Sequence, residues 1–205
     1  MGAMFIIAER RSADPLIKVE EVVANRALSQ ALVIQFLIYC GTIGTTFLLS
    51  LYLQYIQGNT PETTGNLLVL APVVMAIFAP LAGRVADLMS PRRLSALGAA
   101  SILCSLVLAA LITERTDVGL IIAIMVFQGL GFAMFSAPNI ALIMNSVGPT
   151  ERGLASALSA VMRSLGMVIS MFIVTAFLSM RLGDGAIGHR PNEFLSAMSW
   201  SFSIF

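Results

Sequence analysis

Pro80-Leu-Ala-Gly-Arg-Val-Ala-Asp-Leu-Met-Ser-Pro-Arg-Arg-Leu94 carries almost the only dense charge in the middle of a very apolar chain. Apolar sequence runs into it from Leu67 and out of it to Ile112. The stretch therefore reads as a tight turn between two membrane-spanning helices. Ala79, Gly83 and Asp87 recur every four residues and share one helix face, small residues leading down to a carboxylate. Such a face lets a neighbouring helix approach closely, as helices in lipid do. Asp87 falls at a helix C-terminus, the wrong end for an anion, so it calls for a partner outside its own helix. Ser90 is placed to cap the next helix with Pro91 at its first position. Arg92 and Arg93 follow at the membrane surface, where their heads reach water or lipid headgroups.

Composition agrees with a lipid setting. Apolar residues make up 58% of the chain and charged residues 11%, against about a quarter charged in soluble domains. At about 20 apolar residues per span, the 205 residues allow five to seven helices. A net charge of +1 gives no basis for nucleic-acid binding. Cys40 and Cys104 lie inside apolar runs and read as small buried hydrophobes rather than a disulfide or metal site. His189, in a polar loop without nearby ligand spacing, reads as a solvated residue. No metal or cofactor is expected.

The spans follow in order. Residues 1–8 are apolar but too short to cross a bilayer, and read as the end of an upstream helix. A mixed-charge connector completes residues 1–26, broken at Asp14-Pro15. Residues 27–205 then hold full spans at about 28–56, 66–88, 94–112, 118–145 and 154–180, and the start of a sixth at 194–205. Thr60-Pro61 reads as cap and first helical residue before the second span, in which Pro72 and Pro80 predict kinks. The third span, rich in Ala and Leu, reads as scaffold.

Polar groups at membrane depth mark the candidates for a cavity lining: Gln35, Tyr39, Gln128, Asn139 and Arg163. The alternative for the uncharged ones is hydrogen bonding between helices, worth roughly 0.6–2 kcal/mol per contact. Arg163 follows Gly153 by ten residues, about 15 Å at 1.5 Å per residue. A charge at that depth costs at least about 2.5–3.5 kcal/mol, so it must face a partner or a wet cavity. Gly129, Ala133 and Ala137 predict a close-packing face, and Gly166 and Ser170 another. In the turn at 148–153, Glu151 suits a helix N-terminus, followed by Arg152 and Gly153.

Basic residues fix the orientation. One side of the membrane carries Arg10, Arg11, Lys18, Arg26, Arg84, Arg92, Arg93 and Arg152; the other only Arg115, Arg181 and Arg190. The positive-inside rule puts the first group, and with it the Asp87 turn, in the cytoplasm.

The turn Gly83, Asp87, Arg92, Arg93 resembles the charged turn motif of the major facilitator superfamily. Leu88 and Ser90-Pro91 depart from it, where a basic residue and a Gly-containing pair are common. Other stretches resemble that superfamily's fourteen-helix drug:proton antiporter branch: Asp14-Pro15-Leu16; Leu51-Tyr-Leu-Gln54 with Gly58, Gly65 and Pro72; Gln128-Gly-Leu-Gly131 with Pro138-Asn139; Arg152-Gly153; and Arg163 with Gly166. The resemblance implies an all-α, polytopic membrane bundle, the C-terminal six-helix half of such a transporter with its final helix cut short. It implies two halves rocking about a central cavity, each built of inverted three-helix repeats. It further implies that Gly83, Asp87, Arg92 and Arg93 form a cytoplasmic latch; the alternative is that Asp87 only satisfies a helix end and the arginines only set topology.

The function expected is secondary active transport, the export of small apolar or amphipathic compounds by proton antiport from a cell membrane. Its partners would be the lipid bilayer, a small-molecule substrate, and an N-terminal half or second chain. No Asp or Glu lies in the middle of a full span, so either the titrating carboxylate lies outside this chain or proton coupling is absent. The competing expectation is a membrane scaffold or half-transporter subunit with no transport of its own. An intramembrane enzyme is not expected, since no Ser-His, Asp-Asp or His-Glu pair appears on facing spans.

Overall fold

A computed structural model describes residues 25–182, together with Phe194 and Met198. The connector and upstream helix end expected within residues 1–26, the loop with His189, and most of the 194–205 stretch lie outside the described residues. Phe194 and Met198 are helical and buried.

Among the described residues every regular element is helical, and five spans are long and apolar enough to cross a membrane. Helix α1 is Arg26–Leu51, continued by a π-helical turn at Tyr52–Ile56. Helix α2 is Pro61–Leu68 and α3 is Leu70–Leu88; together they make one span. Helices α4 (Pro91–Ala110), α5 (Val118–Asn145) and α6 (Arg152–Leu182) follow, the last preceded by a 3-10 turn at Pro149–Glu151.

The ends have local causes. Asn25 caps α1 by accepting the Leu28 N–H at 3.2 Å, and its own amide donates to Ser146 O at 2.5 Å, tying two helix ends together. Gly58, at φ +69°, takes the left-handed turn that closes α1, with Asn59 N–H reaching back to Leu53 O at 2.9 Å. Thr60 Oγ1 accepts the Thr63 N–H and Pro61 opens α2, so the second span starts at Pro61, five residues before the expected 66. Pro72 explains the break at Val69: its ring has no N–H for Leu68 O, and crowds that carbonyl. Pro91 opens α4, but Ser90 makes no side-chain cap bond, contrary to expectation.

Helix α5 is the hub. Successive residues of a helix turn by about 100°, so Gln128, Gly129 and Gly131 point at three different neighbours. Gln128 donates to Thr42 O and Thr46 Oγ1 on α1, at 3.4 and 3.2 Å. A Cβ on Gly129 would strike Ala71 O and lie 2.8 Å from Val74 Cβ on α3. One on Gly131 would lie 2.8 Å from Gly98 O on α4. Ala133 is buried as expected, whereas Ala137 is exposed, so the predicted small-residue face ends one turn early. Cys40 is buried and Cys104 is not, which corrects half of the reading of the cysteines. Apolar clusters fill the seams, the largest around Leu48, Leu49, Tyr52, Ile121, Ile124 and Phe194.

Candidate functional site

Three helices, α1, α5 and α6, meet along a polar seam. On α1 it is carried by Gln35, Tyr39, Thr42 and Thr46; on α6 by Ser159, Arg163, Gly166 and Ser170. Both sets repeat at spacings of four, three and four, which keeps them on one helix face. The α5 side supplies Asn139, Phe132 and Gln128, at spacings of seven and four.

The first layer is a closed hydrogen-bond network. Gln35 Nε2 donates to Ser159 O at 2.9 Å, and lies 3.0 Å from Ser159 Oγ. Ser159 Oγ donates to Gln35 Oε1 at 3.1 Å, and Asn139 Nδ2 donates to the same oxygen at 3.1 Å. All three side chains are buried. Gln35 and Asn139, expected as cavity lining, are here turned into one another. Asn139 also borders a cavity of about 170 Å³ between α1, α4 and α5, shared with Gln30, Arg92 and Ser95.

The second layer holds the charge. The Arg163 guanidinium lies over the Tyr39 ring, 5.9 Å from its centre. Tyr39 in turn meets Phe132 edge-on, with ring centres 5.5 Å apart and planes at 73°. Gly166 makes this possible: a Cβ there would lie 2.6 Å from Phe36 O and 3.2 Å from Tyr39 Cβ. The third layer is less complete. Gln128 Nε2 reaches α1, but Gln128 Oε1 and Ser170 Oγ are buried with no partner among the described residues.

The charged turn is arranged differently. Gly83 has nothing within 4 Å of where a Cβ would stand, and Ala79, Asp87, Arg92 and Arg93 are all exposed. No described helix covers the Ala79–Gly83–Asp87 face, and no ion pair joins Asp87 to a described residue. The close-packing neighbour expected on this face is therefore not found among the described residues. At the second turn, Glu151 Oε2 accepts the Gly148 N–H at 3.3 Å, while Arg152 and Gly153 are exposed.

Sequence reasoning missed Ser159 and Phe132. Ser159 was within reach, since it stands four residues before Arg163 on the same face. Phe132 gave no signal among many apolar residues.

The sequence profile described as Major Facilitator Superfamily matches residues 31–204. The chain belongs to that superfamily. It is 27% identical to the riboflavin transporter RibZ of Clostridioides difficile, over 77% of this chain and 35% of that protein. It is 26% identical to the multidrug resistance protein Stp of Mycobacterium tuberculosis, over 86% of this chain and 33% of Stp. It is 29% identical to the multidrug efflux pump LfrA of Mycolicibacterium smegmatis, over 82% of this chain and 33% of LfrA. The chain spans about a third of the length of these relatives. The superfamily consists of transporters rather than enzymes, and the five apolar spans make this superfamily member a multi-pass membrane protein.

Proposed function

We propose that this chain is the C-terminal half of a secondary active exporter of small apolar or amphipathic compounds, working by alternating access with proton antiport. It would sit in the cell membrane with the Asp87 turn cytoplasmic, consistent with the bias of its basic residues. The observation that carries the reading is uneven burial. The apolar windows of Pro61–Leu88 and Pro149–Met180 are 11% and 17% buried, against 56% for Arg26–Ile56. Two spans so little covered suit docking against a second half, and relatives named as efflux and resistance proteins suit export.

In this reading Gly83, Asp87, Arg92 and Arg93 form a latch that engages the other half in one state of the cycle. They are exposed and make no ion pair with a described residue, which suits that role. The proton-carrying carboxylate would come from outside this chain, since the mid-span residues described include no Asp or Glu. Asp87→Asn removes charge without bulk, so export from cells should fall several-fold while the amount of protein in the membrane holds. Normal export by that variant would remove the latch.

The second reading, a scaffold or half-transporter subunit without transport of its own, suits the same uncovered helices. Substrate flux in vesicles that depends on Asp87 would exclude it.

A further inference from the structure

Arg163 takes part in none of the hydrogen bonding that ties the seam together. It lies 11 residues beyond Arg152, and Tyr39 lies 13 beyond Arg26, which puts both near the middle of a hydrocarbon core about 30 Å thick. Arg163 is partly buried, yet no carboxylate pairs with it and no acceptor takes its N–H groups among the described residues. Its one contact of note is the Tyr39 ring. A ring face offsets part of the charge but satisfies none of five N–H donors held in a fixed fork.

The neighbouring layer shows what a purely structural polar group does in this bundle. Gln35, Asn139 and Ser159 bond to one another across three helices. Arg163 stands one helical turn from Ser159 and has no such partner. The contact it makes instead is aromatic, with Tyr39 under the guanidinium and Phe132 edge-on to Tyr39. The close contact at Gly166 holds α6 against Tyr39, so the cation and the two rings are presented together.

We propose that Arg163, Tyr39 and Phe132 form a recognition point for a flat aromatic compound carrying an anionic group. The anion takes two parallel N–H donors of the guanidinium, and the ring system packs beside Tyr39 and Phe132. A cation of the same shape meets an uncompensated positive charge and is disfavoured. The inference rests on the transport reading and narrows its substrate class.

The test is equilibrium binding to the full protein, purified in detergent from its source membrane and followed by fluorescence anisotropy. The probes are fluorescein, an anion at neutral pH, and rhodamine 6G, an esterified cation on the same xanthene ring. Fluorescein should bind the parent protein, and R163Q should weaken it at least about tenfold, as loss of charge-assisted hydrogen bonds does, with rhodamine binding unchanged or tighter. R163K keeps the charge without the fork and should weaken fluorescein less. Y39L should weaken it while Y39F does not, because the ring face is what matters.

No fluorescein binding by the parent protein would overturn the proposal, as would equal binding by R163Q. Equal loss of both dyes in R163Q would also overturn it, since that is expected if Arg163 instead holds a carboxylate of the protein. If R163Q does not fold, R163K and Y39L decide in the same way: selective loss of fluorescein supports the site, and parallel loss of both dyes overturns it. Binding is read without a gradient. Selective fluorescein binding alongside absent export would therefore count against the exporter reading and leave the site standing.

Discussion

Two seams of α5 hold this bundle together by different means. Toward α4 the contact is mainly backbone on backbone, with one side-chain bond, Ser101 Oγ donating to Phe127 O at 2.8 Å. A Cβ on Gly98 would lie 2.7 Å from both Gly131 O and Phe135 N, and one on Gly131 would lie 3.0 Å from Ile102 N. Ile38, Ile102, Leu106 and Phe135 fill the space around that crossing. Toward α1 and α6 the contact runs through polar side chains, Gln35, Asn139, Ser159 and Gln128, which bond to one another and to facing carbonyls. Helix α5 runs through both, so neither depth nor overall hydropathy explains the difference. In lipid, apolar burial gives little drive for helices to associate, and cohesion comes from close packing or from hydrogen bonds. A seam of the first kind fixes the spacing of two helices. A seam of the second kind carries donors and acceptors, and some of them can be turned toward a solute.

The largest effect is expected where backbones touch. Gly131→Val puts two branches where one Cβ already falls within contact distance of α4 backbone, which has no flexible end to move aside. Overpacking of this sort costs about 3 kcal/mol. Thermal unfolding in detergent should show a clear loss of stability, and the yield of folded protein should drop. A variant as stable as the parent would mean that α4 and α5 slide freely, and the contrast between the seams would collapse.

A middling effect belongs to the polar seam. Gln35→Leu removes the group that both Asn139 and Ser159 use, and leaves two buried side chains short of partners. Hydrogen bonds between membrane helices average about 0.6 kcal/mol and reach about 2, so roughly 1–2 kcal/mol should be lost. Adding Asn139→Leu should cost less in the Gln35→Leu background than in the parent, because the shared bond is already gone. Strictly additive losses in that cycle would show that the network is not a unit.

The sequence made the spans legible because hydropathy and turn chemistry report on each helix alone. The limits of the first, fourth and fifth spans fall within two residues of those expected, while the second starts five residues early because Pro61 begins a helix that Pro72 then interrupts. Which face meets which helix was harder to read. The spacing of Ala79, Gly83 and Asp87 predicts a covered face, and they stand open. Spacing tells which residues share a face, not what lies opposite. The pairing of Gln35 with Ser159 joins residues 124 apart, and no local pattern encodes that partner. Arg163 reads as a charge needing company, but nothing in the spacing singles out Tyr39 from the other polar groups.

The smallest effect lies in the third layer, where Ser170 Oγ is buried with no partner among the described residues. Removing a buried hydroxyl that makes no hydrogen bond relieves a desolvation cost and leaves only a small void. Ser170→Ala should therefore hold stability to within about 0.5 kcal/mol, or raise it slightly. The same change at Ser159 should be harmful, because that hydroxyl is bonded to Gln35. The pair separates two accounts of the seam. If Ser170→Ala instead costs as much as Ser159→Ala, the hydroxyl has an acceptor, and Gln128 Oε1, also unpartnered and on the same seam, is the candidate on α5. The polar seam would then be continuous through all three layers, and Arg163 would sit inside a hydrogen-bonded column rather than at its open step.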